Sequence, residues 1–231
     1  MTNSATLGAS QHGGVTVTVT SNDPTKVLVG KDASTTATSS FTVDLANGQT
    51  SIPYHVAGKD GATGSASITV SAPGFSNGVQ SVSVVQSALR IETLSTSIAA
   101  TAANDEFYIS VGLPNTFATD VQTVQNVAVG SSLAVTVTNG APNIGAGQLV
   151  TLAGGAHSRT VTLPANQYYS PTTVATGGVA FDPLAAGSTL VEATIPGFIT
   201  TDAGRVTVQV TGGAGAQSMT TQSTTTTKKK K

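Results

Sequence analysis

Three histidines, eleven carboxylates, ten lysines and arginines and four tyrosines carry the acid, base, ligating and stacking chemistry of this 231-residue chain. A histidine metal site on a strand needs partners at i and i+2 on one face, and His12, His55 and His157 have no such spacing. His12 and His157 fall in glycine-rich turns and His55 lies beside Tyr54 in a strand-like run, so they read as unrelated polar surface groups. Serine is abundant, but GATGS at 61–65 lacks the Gly-x-Ser-x-Gly pattern, and GFSNG at 74–78, which has that spacing, leads into a valine run and not into a helix as a nucleophile elbow does. Without cysteine there is no disulfide framework, thiolate metal site or Cys nucleophile. Lys26, Lys31 and Lys59 all lie at turns, away from the buried position that a Lys–Asn isopeptide bond requires. The glycine pairs at 154–155 and 177–178 precede no Gly-Lys-Ser/Thr and form no phosphate loop.

Calcium takes about six to eight oxygens from clustered ligands. Asp105 and Glu106 are the adjacent acidic pair that offers a start for such a site; the competing reading is a solvated turn. Nothing sets two carboxylates across a cleft for glycoside hydrolysis. Tryptophan is absent, and Tyr168-Tyr169, followed by Ser170-Pro171, is the one tyrosine pair. Successive strand residues face opposite ways, so one of the two is expected inside and the other exposed as a platform for a glycan or receptor. Tyr108 beside Phe107 follows the same rule. The chemistry as a whole points away from an enzyme.

Composition then bounds the elements that position these groups. Aromatic residues are 4% and charged residues 9%, so the core must be Val, Leu, Ile and Ala. That suits thin β-layers, where branched side chains pack on a pleat. Four lysines at 228–231 supply part of the ten positive charges; the remaining six stand against eleven acids, a net of −5. Such a body offers no basic stripe for nucleic acid. No run of about eighteen apolar residues predicts a membrane span, and residues 1–14 show no basic start followed by an apolar stretch.

The chain says one phrase twice. SAPGFSNG at 71–78 and TIPGFITT at 194–201 each follow a strand-like run and precede an alternating valine run. In Pro73-Gly74-Phe75 and Pro196-Gly197-Phe198, proline presets the first central position of a type II turn and glycine accepts the positive φ of the next. Both phenylalanines can then point back into an apolar interior. Upstream, VTVTVTSNDP at 15–24 matches LAVTVTNGAP at 133–142, and FTVDLANGQ at 41–49 matches TVTLPANQ at 160–167. An insertion of five residues is expected near 175–183, before the second corner. Only fourteen residues precede Val15, whereas about forty, 89–132, precede Leu133. The leading fourteen are small and polar, and His12-Gly13-Gly14 reads as a turn. The first copy then lacks part of its sandwich, because the chain was cut inside a longer array or because another segment or chain supplies the edge. An unpaired edge invites strand addition.

These strand runs and corners resemble the bacterial Ig-like repeats of large cell-surface and adhesin-type proteins, the broad group that includes the intimin and invasin stalks. The resemblance covers about residues 12–88 and 89–211. It implies an all-β chain of two tandem immunoglobulin-like β-sandwiches, 1–88 and 89–211, the first abbreviated at its N-terminal edge. Residues 212–231 follow as a flexible Thr-rich tail with a four-lysine end. It also implies a non-catalytic spacer or binding unit outside the cell or on its surface, partnered by neighbouring repeats, identical subunits, or a surface glycan or receptor. No cofactor is implied, except that arrays of this kind sometimes stiffen their joints with calcium, for which Asp105 and Glu106 are the candidates.

Overall fold

Branched residues alternating with threonine suit a pleated sheet, because in a helix their side chains crowd the preceding turn. The computed structural model describes residues 1–212, and among them every such run is a strand. Helical geometry is confined to 3-10 turns at Ile144–Ala146, Val174–Thr176 and Asp202–Gly204. The tail expected at 212–231 lies, beyond Gly212, outside the described residues.

The first strands are β1 (Thr2–Thr6), β2 (Val15–Ser21), β3 (Val27–Gly30), β4 (Ser40–Leu45), β5 (Ser51–Gly58), β6 (Gly64–Ser71) and β7 (Gly78–Val84). They make two sheets, β1-β5-β3 and β4-β2-β6-β7. The small polar leading residues include a strand: Thr2–Thr6 is half-buried in alternation and pairs with β5. Val17, Val19, Val29, Ile52 and Ile68 form the centre of the core between these sheets.

The later strands are β8 (Ala88–Glu92), β9 (Ser97–Ala99), β10 (Asp105–Pro114), β11 (Val121–Val124), β12 (Leu133–Pro142) and β13 (Gly147–Thr151). They continue with β14 (Gly154–Ala156), β15 (Ser158–Leu163), β16 (Val179–Pro183), β17 (Gly187–Thr194), β18 (Ile199–Thr200) and β19 (Arg205–Thr211). One sheet runs β14-β13-β16-β10-β8-β18, with β11 also on β10; the other runs β15-β12-β17-β19-β9. A second, separate core centres on Phe107, Ile109, Leu149, Leu163 and Phe181.

The two groups share one layout. The order β4-β2-β6-β7 recurs as β15-β12-β17-β19, and β1-β5-β3 recurs as β10-β16-β13. Register agrees as well: Val17 faces Val43 as Val135 faces Val161, and Thr18 faces Ser71 as Thr136 faces Thr194. The added residues of the later group lie between β15 and β16, at 164–178, slightly upstream of where the sequence places them. The later group also carries leading strands without counterparts: β8 covers the outer edge of β10, and β9 that of β19. In the first group the equivalent edges, on β1 and β7, end their sheets.

Candidate functional site

The repeated corners adopt matching geometry. Gly74 and Gly197 have φ of 78° and 81°. The Phe75 and Phe198 amides each donate to the carbonyl three residues back, Ala72 and Ile195, at 3.1 Å. Each phenylalanine is half-buried against its own core. Their outer surroundings differ. Among the described residues a Cβ added at Gly74 would meet nothing within 4 Å, whereas one added at Gly197 would meet the Gly61 α-carbon at 3.1 Å. Gln86 Nε2 donates to the Gly197 carbonyl at 3.0 Å, and the Ile199 amide to that of Ser87 at 2.8 Å. Burial in this neighbourhood pushes the Asp60 carboxyl above its ordinary range, against the pull of Lys59. The second corner thus packs on the turn between β5 and β6. The connection itself is residues 85–87, since β8 begins at Ala88.

A second arrangement lies on the outward face of the β8–β10 pair. Phe107, Ile109 and Val111 point into the core, so Tyr108 and Ser110 point away, opposite Glu92 and Arg90 of β8. Arg90 Nε donates to Glu92 Oε1 at 2.6 Å, and its Nη1 to Asp120 Oδ1 at 3.2 Å. Ser110 Oγ donates to the same Glu92 oxygen at 2.8 Å.

Tyr169 reaches this face from the other side, through a bridge to Ser110. Its ring meets Tyr108 at 5.7 Å and Tyr168 at 4.9 Å, both edge-to-face. The expectation of opposite faces for Tyr168 and Tyr169 therefore fails, because they sit in the longer 164–178 connection and not in a regular strand. That stretch is anchored: the Val111 amide donates to Tyr168 O, the Ser170 amide to Ile109 O, and the Ile109 amide to Ser170 Oγ, all within 3.0 Å. Tyr168 is 38% exposed, while Tyr108 and Tyr169 are half-buried. Burial first, and then the Glu92 carboxylate, raise the Tyr108 phenol above its ordinary value. Sequence reading found the tyrosine pair but not Tyr108, Arg90 or Asp120 as its neighbours. The alternation of β8 and β10 was the available signal for their shared face; the cross-strand register was not.

Asp105 and Glu106 open β10 and do not form a solvated turn. Asp105 Oδ2 accepts from the Ser95 amide and Glu106 Oε1 from the Val174 amide, each at 2.8 Å. Among the described residues, no three His, Cys, Asp or Glu side chains come together in a metal-holding group. The histidines stay apart. His157 Nδ1 lies 3.0 Å from Asn139 Oδ1, His12 Nε2 lies 2.8 Å from Gln49 O, and burial holds His55 below its ordinary value.

No family model and no curated protein matches the sequence. Among solved structures the chain is similar to the Yersinia pseudotuberculosis adhesin InvE, at 17% identity and a TM-score of 0.36, over 85% of this chain and 49% of that one. It is similar to invasin, a bacterial integrin-binding protein, at 14% identity and a TM-score of 0.31, over 92% of this chain and 40% of that one. It is also similar to Yersinia pseudotuberculosis InvD, at 19% identity and a TM-score of 0.33, over 97% of this chain and 55% of that one. The chain spans about half the length of these proteins or less.

Proposed function

We propose that this chain is a non-catalytic spacer from a multi-repeat protein of the cell surface or extracellular space. Its units are taken as 1–87 and 88–211, because Ala88 opens β8 and pairs with Gly112 of the later sheet. The observation that carries this reading is the corner-to-turn contact, in which Gly197 of the second unit packs on Gly61 of the first. Within each unit the Pro-Gly-Phe corner and the turn after β5 or β16 lie at opposite ends of β6 or β17. One kind of contact can therefore repeat head to tail along an array. The unit before this one would dock its turn on Gly74, and the unit after would dock its corner near Leu184, which is 49% exposed. Short connections and glycine-to-glycine approach restrict bending, so the array acts as a stiff rod. NMR relaxation tests this. Both units are expected to share one rotational correlation time; two separate times would refute the rod.

A second role, binding a surface glycan or receptor, is favoured by the Tyr108–Tyr168–Tyr169 face. Its rings are held by backbone bonds before any ligand arrives, which lowers the ordering cost of binding. The charged groups beside them offer both donors and acceptors. A neutral sugar can lay its C–H face on the exposed Tyr168 ring and hydrogen-bond to Glu92 and Arg90. On a glycan array, wild type is expected to bind and Tyr168→Ala to lose at least about tenfold in affinity, a loss of roughly 1.4 kcal/mol. No binding, or binding untouched by the substitution, removes this role and leaves the rod as it was.

A further inference from the structure

Three asparagines in the chain are followed by glycine: Asn47-Gly48, Asn77-Gly78 and Asn139-Gly140. In such a pair the glycine amide nitrogen can reach Cγ of the preceding asparagine, because no Cβ screens it. Whether the two atoms meet depends on how each asparagine is held. Asn139 is buried; its Nδ2 donates to Gly147 O at 2.8 Å and to Ile144 O at 3.2 Å, and its Oδ1 lies 3.0 Å from His157 Nδ1. Turning that side chain toward Gly140 would leave these buried polar groups unpaired. Asn47 is exposed but tied at both ends. Its Oδ1 accepts from the Gly13 amide at 2.8 Å, its Nδ2 donates to Gln11 Oε1 at 3.3 Å, and the Gly48 amide donates to Ser10 O at 2.8 Å.

Asn77 is free of such ties. It stands exposed between Ser76 and Gly78, both also exposed, and its side chain has no hydrogen-bond partner among the described residues. A Cβ added at Gly78 would approach only Val70 O, at 4.0 Å, so the space beside it is open. Gly78 forms the last rung of the β6–β7 ladder, opposite Val70. Freeing its amide opens one terminal rung and moves no buried side chain, the kind of local opening that costs least. The second corner carries no equivalent: Thr200 and Thr201 stand where the first has Asn77 and Gly78.

We propose that Asn77-Gly78 is a site of spontaneous covalent modification whose only co-reactant is water. The Gly78 amide nitrogen attacks Asn77 Cγ and forms a C–N bond. The side-chain amide leaves as ammonia, taking up the proton that the Gly78 nitrogen gives up, and a succinimide ring remains. Water then adds to one of the two ring carbonyls and breaks its bond to the ring nitrogen. Opening on one side gives aspartate; opening on the other gives isoaspartate, in which the main chain passes through the former side chain. Nothing is oxidised or reduced. Either product places a new negative charge just past Phe75, and isoaspartate also inserts a methylene carbon into the backbone ahead of β7. The change is one-way, accumulates with the age of the protein and marks the first corner alone. It does not rest on the spacer reading.

The test holds the whole folded chain at mildly alkaline pH, samples it over time and digests each sample with trypsin. Peptides 32–59 and 60–90 contain Asn47 and Asn77 as their only asparagines, and 91–159 contains Asn139. Mass spectrometry is expected to show the exchange of NH for O at Asn77 at least about tenfold faster than at Asn139, and faster than at Asn47. Part of the product in 60–90 should accept a methyl group from an isoaspartyl methyltransferase. Gly78 has no positive φ and has room for a Cβ, so Gly78→Ala should slow the reaction at Asn77 at least about tenfold without altering Asn47. In the chain unfolded by urea the three rates should converge. Equal native rates at Asn77 and Asn139, a faster reaction at Asn47, or no slowing by Gly78→Ala overturns the proposal. So does a ranking that survives unfolding, which would assign it to local sequence and not to the fold. None of these results bears on the shared tumbling of the two units.

Discussion

Individual side chains in this protein act mostly through where burial places them. His55 is held below the ordinary histidine value of 6.5 by burial. Its folded form therefore binds fewer protons than its unfolded form near and just below that value. The linked stability is fully present above the unfolded value and is lost as pH falls through the folded one. As pH falls below about 6.5 the Tm is expected to decline, and His55→Gln should flatten that decline. An unchanged slope in the variant would mean that other groups set it. At the tyrosine face, Arg90 stands between Glu92 and Asp120, so that cluster is net negative by one charge and poorly suited to an anion. All three side chains are partly exposed, and breaking one of their ion pairs should cost about 1 kcal/mol at most.

At the scale of strands and turns, the paired corners allow strain to be separated from contact. Gly74 and Gly197 hold nearly the same positive φ, so alanine at either should cost about 1–2 kcal/mol from backbone strain alone. Only at Gly197 does the new Cβ also strike Gly61. Gly74→Ala is expected to lower stability and leave the tumbling of the units coupled. Gly197→Ala should lower stability and also uncouple them, seen as two correlation times. Equal effects on tumbling from both substitutions would show that this contact does not hold the joint. How legible each element was depended on whether its spacing was local. The valine–threonine alternation of β2, β12 and β19 and the two corners were readable, because period-two patterning and Pro-Gly turns are properties of adjacent residues. Thr2–Thr6 was not, because TNSAT has almost no apolar face and becomes a strand only by pairing with β5. The Tyr168–Tyr169 pair was misread for a related reason. A longer connection lets the backbone leave strand geometry, and side-chain alternation then no longer applies.

For the molecule as a whole, two cores and one contact between them bear on the proposed spacer role. The cores are separate clusters, and the turn-to-corner packing and the short 85–87 connection join the two groups of strands. The sequence by itself determined that the chain is all-β, where its two matching corners lie and which strand runs recur, because strand period, turn chemistry and repetition are written in local order. Only the tertiary structure decided which edges stay open, that Gly197 meets Gly61, and that Tyr108, Arg90 and Asp120 share a face with the tyrosine pair. Those facts depend on the pairing of strands distant in the chain, and no local spacing encodes which strand will lie beside which.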